Sequence, residues 1–144
     1  MRKTFFILSL SFILMSCKSN LILISSIKET VLPGRPNIPS YSNYKVNFKT
    51  MNTSSIKIDR VEVKSKGTCY TCSYLLKEQK GTSYLNKISK QGNYILEIPL
   101  KDKYIISTSN CDNKEEELLI YYEENGKPNS LKISVFSEET KTMR

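Results

Sequence analysis

The sequence predicts an all-β protein: a single antiparallel Greek-key sandwich of immunoglobulin-like type, with a small β-barrel as the alternative. Three observations carry this expectation. Seven or eight short apolar segments recur at regular spacing, and none has the length and 3.6-residue period of an ordinary helix. Tyr44-Val46-Phe48 alternate with Lys45-Asn47-Lys49, the pattern of a half-buried strand. Asn125-Gly126 is the dipeptide favoured in two-residue type I′ hairpins, and it lies between two apolar segments.

Taken in order, Leu21-Ile24 and Ile27 read as a first strand. Val31 to Pro39 holds three prolines within seven residues, which breaks regular structure and fits a crossover between sheets or a recognition loop. After the Tyr44–Phe48 strand and a polar turn at 51–55, Ile56 and Ile58 occupy one parity and Val61 and Val63 the other. That switch places a bulge near Asp59-Arg60. Lys64–Thr68 is a basic, glycine-containing loop leading to Cys69-Tyr70-Thr71-Cys72 and Tyr74-Leu75-Leu76. Within the polar stretch 77–93, Tyr84, Leu85 and Ile88 fit one helical turn. Tyr94-Leu96-Ile98-Leu100 alternates again, with Pro99 confining it to an edge or a terminus. Lys101-Asp102-Lys103 is expected to close a hairpin onto Tyr104–Thr108. The Asn125-Gly126 turn sets Glu124 opposite Lys127, Ile120 opposite Leu131 and Leu118 opposite Ile133, while Glu138–Arg144 is expected to fray.

Ahead of these segments stands a tripartite export signal. Arg2 and Lys3 form its basic start, and Phe5–Met15 is an eleven-residue apolar run, far short of the ~20 residues a spanning helix needs. Leu14-Met15-Ser16-Cys17 at its end resembles a lipobox, the processing site of bacterial lipoproteins. A thiol is the nucleophile that accepts a diacylglyceryl group as a thioether, and a small Ser16 admits the protease to the Ser16–Cys17 bond. The expected division is therefore a signal peptide at 1–16, lipidated Cys17 with a short tether at 17–20, and a β-sandwich domain at 21–144. Lys18, where resemblance to inner-membrane retention signals would require Asp, favours the outer membrane. Taken whole, the chain resembles small β-rich lipoproteins of the Gram-negative envelope that join a lipobox to a Pro-Gly-interrupted β domain and share the Asn125-Gly126-Lys127 turn. The resemblance implies anchorage and fold, and no activity.

Removing 1–16 takes Arg2 and Lys3 from the 22 basic residues, leaving 20 against 14 acidic ones and a formal charge of +6. Such a field suits anionic head groups or acidic glycans, and an exported chain has no nucleic acid to meet. The lysines at 45, 49, 57, 64 and 87 are spread as on a solvated sheet face. The chain has no His, which excludes His-based triads and His-ligated zinc. All nine Tyr follow Cys17, consistent with strands and a polar-tipped contact surface.

With Cys17 acylated, Cys69, Cys72 and Cys111 are the candidates for a disulfide in an oxidising compartment. Cys72–Cys111, Cys69–Cys111, the local Cys69–Cys72 bridge and no bridge at all remain open. A redox role for Cys69-x-x-Cys72 needs a helix N-terminus that nothing here predicts. The carboxylate clusters Glu115-Glu116-Glu117 and Glu123-Glu124 fit solvated strand ends better than a glycosidase pair, and Asn110–Asn113 lacks the spacing of a calcium loop. No catalytic residue, metal or cofactor is expected. The functional expectation is a membrane-tethered binding or structural module partnered by the bilayer through Cys17 and by an envelope protein or acidic glycan. The alternative is an inhibitor or immunity-type lipoprotein directed at a toxin or hydrolase.

Overall fold

A computed structural model gives the fold of the protein and describes residues 20–51, 54–112 and 114–144. The lipobox residues 14–17 lie outside the described residues, as do Asn52, Thr53 and Asn113. The strands are β1 (Leu21–Leu32), β2 (Tyr41–Thr50), β3 (Ile56–Ser65), β4 (Thr68–Cys72), β5 (Leu75–Glu78), β6 (Gly92–Leu100), β7 (Ile105–Asn110), β8 (Glu117–Glu124), β9 (Lys127–Ile133) and β10 (Ser137–Thr142). They form two five-stranded sheets, ordered β10-β1-β2-β6-β5 and β7-β4-β3-β8-β9. Neither sheet closes on itself, so the protein is a sandwich and the barrel alternative is set aside. The inner orders β1-β2-β6-β5 and β4-β3-β8-β9 match the A-B-E-D and C′-C-F-G arrangement of immunoglobulin-type sandwiches.

The core is the meeting of two alternating patterns. Tyr44, Val46 and Phe48 of β2 and Tyr94, Leu96 and Ile98 of β6 point inward from the first sheet. Ile56, Ile58, Val61 and Val63 of β3 and Leu118, Ile120 and Tyr122 of β8 meet them from the second. The parity switch in β3 is resolved by a bulge: Ile58 pairs with Tyr122 and Arg60 with Tyr121, leaving Asp59 as the extra residue. All four aliphatic side chains of β3 therefore reach the core, as two-residue alternation alone would forbid.

The β8–β9 hairpin has the expected register, with Glu124 opposite Lys127, Ile120 opposite Leu131 and Leu118 opposite Ile133. Asn125 and Gly126 both have positive φ, 51° and 79°, as the type I′ turn requires. The Lys64–Thr68 loop is tighter than a loop: Lys66 and Gly67, at φ 51° and 80°, form a second two-residue turn between β3 and β4.

Several expectations are corrected. The proline-rich segment joins β1 to β2, which are neighbours in one sheet, so it is an end loop and does not cross between sheets. The helical turn at Tyr84–Ile88 is absent: Ile88 exchanges both backbone hydrogen bonds with Ile56, at 2.9 and 2.8 Å, which demands extended backbone. Lys101–Lys103 closes no hairpin, since β6 and β7 lie in different sheets and a 3-10 turn at Asp102–Tyr104 carries the chain across. Ser137–Thr142 is a strand paired parallel to β1 from Ile27 to Leu32, where fraying was expected. The described residues form ten strands where seven or eight were expected. Pro99 is tolerated because β5 pairs only with Tyr94–Glu97, leaving the last part of β6 without a neighbour on that side among the described residues.

Leu96 is fully buried between the sheets. Leu96→Ala is expected to lower the unfolding free energy by about 2–5 kcal/mol in urea titration, with an unchanged denaturant slope. Gly126→Ala, whose Cβ would meet no atom within 4 Å, should cost only the conformational penalty of positive φ, about 1–2 kcal/mol.

Candidate functional site

The strand directions sort the loops into two ends. Asn20, the β2–β3 connection, residues 79–91 and the Asn125-Gly126 turn share one end. The proline-rich loop, the Lys66-Gly67 turn, the 3-10 crossing at 101–104 and the β7–β8 connection share the other.

At that second end a groove of about 500 Å³ runs between Ile38–Tyr41 and Leu100–Lys103. The register that pairs Ser42 with Leu100 brings the two segments together. The prolines hold the loop extended at Pro39, and Ile38 N–H donates to the Arg35 carbonyl oxygen at 3.3 Å. On the facing side Tyr104 N–H donates to the Lys101 carbonyl oxygen at 2.8 Å, closing the 3-10 turn. Lys101 Nζ lies 5.3 Å from the Tyr41 ring centroid and Lys103 Nζ 4.9 Å from that of Tyr104, both within cation–π reach. Asp102 is the single carboxylate of the lining, and Ile38 is 44% exposed. A neighbouring hollow shares Ile38 and adds Pro33, Gly34, Arg35, Met143 and Arg144. The joined surface is apolar at its floor, aromatic at one wall and cationic at its rim.

The residues singled out in the sequence fall elsewhere. Of the open pairings, the structure has Cys69–Cys111, with Cα atoms 5.7 Å apart. The sequence separation of 42 corresponds, in a chain-entropy account, to ~4 kcal/mol of stabilisation. Cys72 is free and buried in the core. Positions i and i+3 of one strand face opposite ways, so Cys69 and Cys72 in β4 do not approach as a redox pair would. Burial pushes the Cys72 thiol up to about 11, the reverse of an activated cysteine.

The glutamate cluster ties the sheets together. Glu116 accepts from the Tyr44 hydroxyl and lies 2.8 Å from Lys28 Nζ, linking β1 and β2 to the segment entering β8. Burial raises the Tyr44 pKa, and the Glu116 carboxylate raises it further. Glu117 meets Lys132 at 2.7 Å and Lys64 at 3.6 Å. Tyr44, Tyr94 and Tyr122 are core residues, so the tyrosines form no continuous outer face. Among the described residues no group of three or more Cys, Asp and Glu is placed to hold a metal ion, and Asn113 of the Asn110–Asn113 segment is outside them. Sequence reasoning missed the groove itself. Its available signal was two lysines beside Leu100 and a tyrosine closing a proline-rich loop.

No family model matches the chain, and no curated protein matches it.

Two measurements follow from this chemistry. The hydrogen bond from Lys132, aided by Lys64, holds the Glu117 carboxyl below its ordinary 4.5 against the opposing effect of burial. With the folded value below the unfolded one, the stabilisation is complete above the ordinary glutamate range and disappears as pH falls through the lowered value. Unfolding free energy should fall as pH is lowered through the ordinary glutamate range and below it, and Glu117→Gln should flatten that part of the profile. For Cys72, an aromatic disulfide reagent at pH 8 should react more than about a hundredfold slower in the folded protein than after unfolding in guanidinium.

Proposed function

We propose that the protein is an envelope lipoprotein, cleaved after Ser16 and acylated on Cys17, that binds an acidic segment of another envelope protein in the groove between Ile38–Tyr41 and Leu100–Lys103. The lipobox-like Leu14-Met15-Ser16-Cys17 after a short apolar run supports the anchorage. The observation that carries the binding role is the groove's position at the end of the sandwich opposite Asn20, through which the chain enters. A β1 strand of 12 residues separates the two ends by about 35 Å, so the groove faces away from a bilayer holding Cys17. Its chemistry fits an acidic polypeptide. Lys101 and Lys103 supply positive charge on short, fixed turns, while Ile38, Leu100 and Tyr41 accept an apolar or aromatic anchor.

The test couples mass spectrometry to carbodiimide cross-linking, which joins a lysine amine to a carboxylate in direct contact. In native envelope membranes the expected adduct maps to Lys101 or Lys103. It is lost in the double variant Lys101→Gln, Lys103→Gln and kept in Lys127→Gln at the opposite end. Adducts confined to other lysines, or persisting in the double variant, would overturn the groove as the binding site. The N-terminal peptide from the same samples should start at Cys17 with a diacylglyceryl mass. An unmodified Cys17 would overturn the anchorage.

A further inference from the structure

We infer that the end of the sandwich around Asn20 is a lipid-seating surface, on which Ile22, Leu23, Ile24 and Met51 enter the interface of an anionic bilayer beside Lys49. This rests on the proposed acylation of Cys17 and says how the domain is held once attached.

The chain does not dangle from this end. Asn20 N–H donates to a Glu124 carboxylate oxygen at 3.1 Å, Asn20 Nδ2 donates to Ser54 Oγ at 2.9 Å, and Met51 N–H donates to the Asn20 carbonyl oxygen at 3.3 Å. Asn20, counted as tether on sequence, is therefore part of the folded body. Two residues, Lys18 and Ser19, separate it from Cys17, and the three Cα–Cα steps between them reach ~11 Å at full extension. An acyl group on Cys17 places this end, and no other, against the head groups.

The surface found there suits that position. Ile22, Leu23 and Ile24 are 45%, 38% and 56% exposed, three consecutive aliphatic residues at the start of β1, and Met51 beside them is 44% exposed. Ile24 is the extra residue of a bulge between Leu23 and Ser25, which turns it out of the sheet. β10 covers β1 only from Ile27 onward, so this half of the edge has no strand on its outer side among the described residues. Exposed apolar residues of this kind on an edge invite a partner. Their charge setting identifies it: Lys49 pairs in register with Ile22, and Lys90 and Lys127 lie at the same end. None of these three lysines forms an ion pair among the described residues, whereas Glu124 is already engaged by Asn20. Aliphatic side chains beside Lys49, with two more lysines at the same end, match the boundary between acyl chains and anionic head groups.

Two methionines provide the test. Met51 lies on this surface, and Met143, 49% exposed, lies at the opposite end against the proline-rich loop. The mature acylated protein is reconstituted into vesicles of phosphatidylcholine alone or with phosphatidylglycerol, treated with hydrogen peroxide, and both sulfoxides are followed by mass spectrometry. Met51 should oxidise about threefold or more slowly than Met143 on the phosphatidylglycerol vesicles, since susceptibility follows exposure. The exposed-site variants Ile22→Glu, Ile24→Glu and Lys49→Glu should bring the two rates together. Equal rates in wild-type protein that floats with the vesicles would overturn the seat while leaving the anchorage intact. Protein that does not float would instead bring down the anchorage, and the seat with it. Met51 protection that rises with protein density and ignores phosphatidylglycerol would assign the edge to a second copy and overturn the bilayer as occupant.

Discussion

One extra residue in β3 governs how this sandwich closes. Strand alternation would send either Ile56 and Ile58 or Val61 and Val63 to water, at a cost of roughly 1.5–3 kcal/mol for each large aliphatic side chain left out. The bulge at Asp59 brings both pairs inward, against Leu118, Ile120 and Tyr122 on their own sheet and the β2 and β6 side chains opposite. With β3 seated, β8 pairs along most of its length and the Asn125-Gly126 turn delivers β9 in register. The Tyr74 hydroxyl, donating to the Ile58 carbonyl oxygen at 2.7 Å, reinforces the bulge from the segment leading into β5.

Away from the apolar centre, polar groups take over the joining of the sheets. Glu116 receives Tyr44 and Lys28 from the first sheet, with Phe136 edge-on to Tyr44 at 5.3 Å between ring centroids. At the far side of the second sheet the Cys69–Cys111 bridge holds β4 to the start of the β7–β8 connection. The two ends of the molecule are left with different surfaces. One is aliphatic and lysine-flanked around Asn20, and the other is grooved and lined with turns that fixed backbone geometry holds in place.

What could be read from the chain was whatever local pattern determines. The Asn125-Gly126 turn and its flanking strands agree because a two-residue loop leaves one register. The Asp59 bulge was legible because a change of parity within one strand has a single economical explanation. β10 was not legible: Ser137–Thr142 has no apolar alternation and is held by backbone pairing to β1, a choice made by the distant partner. Tyr84, Leu85 and Ile88 match one turn of helix in spacing alone, and the backbone bonds of Ile56 decide otherwise. The groove escaped for the same reason, since its halves are about sixty residues apart and meet only through the pairing of β2 with β6. Cys69 and Cys111 were named as partners among alternatives, and only the strand facing of β4 separates them.

The final strand carries a consequence for coexistence with neighbouring molecules. β10 is exposed throughout and made of Ser, Glu, Thr and Lys, so it contributes hydrogen bonds to β1 and almost no apolar burial. Its value lies in occupancy. By lying along Ile27–Leu32 it takes up the open backbone edge of β1 and leaves Glu138, Glu139 and Lys141 outermost. A chain clipped before Ser137 would lose that cover and offer the Ile27–Leu32 backbone to its fellows beside the half of β1 that β10 already leaves open.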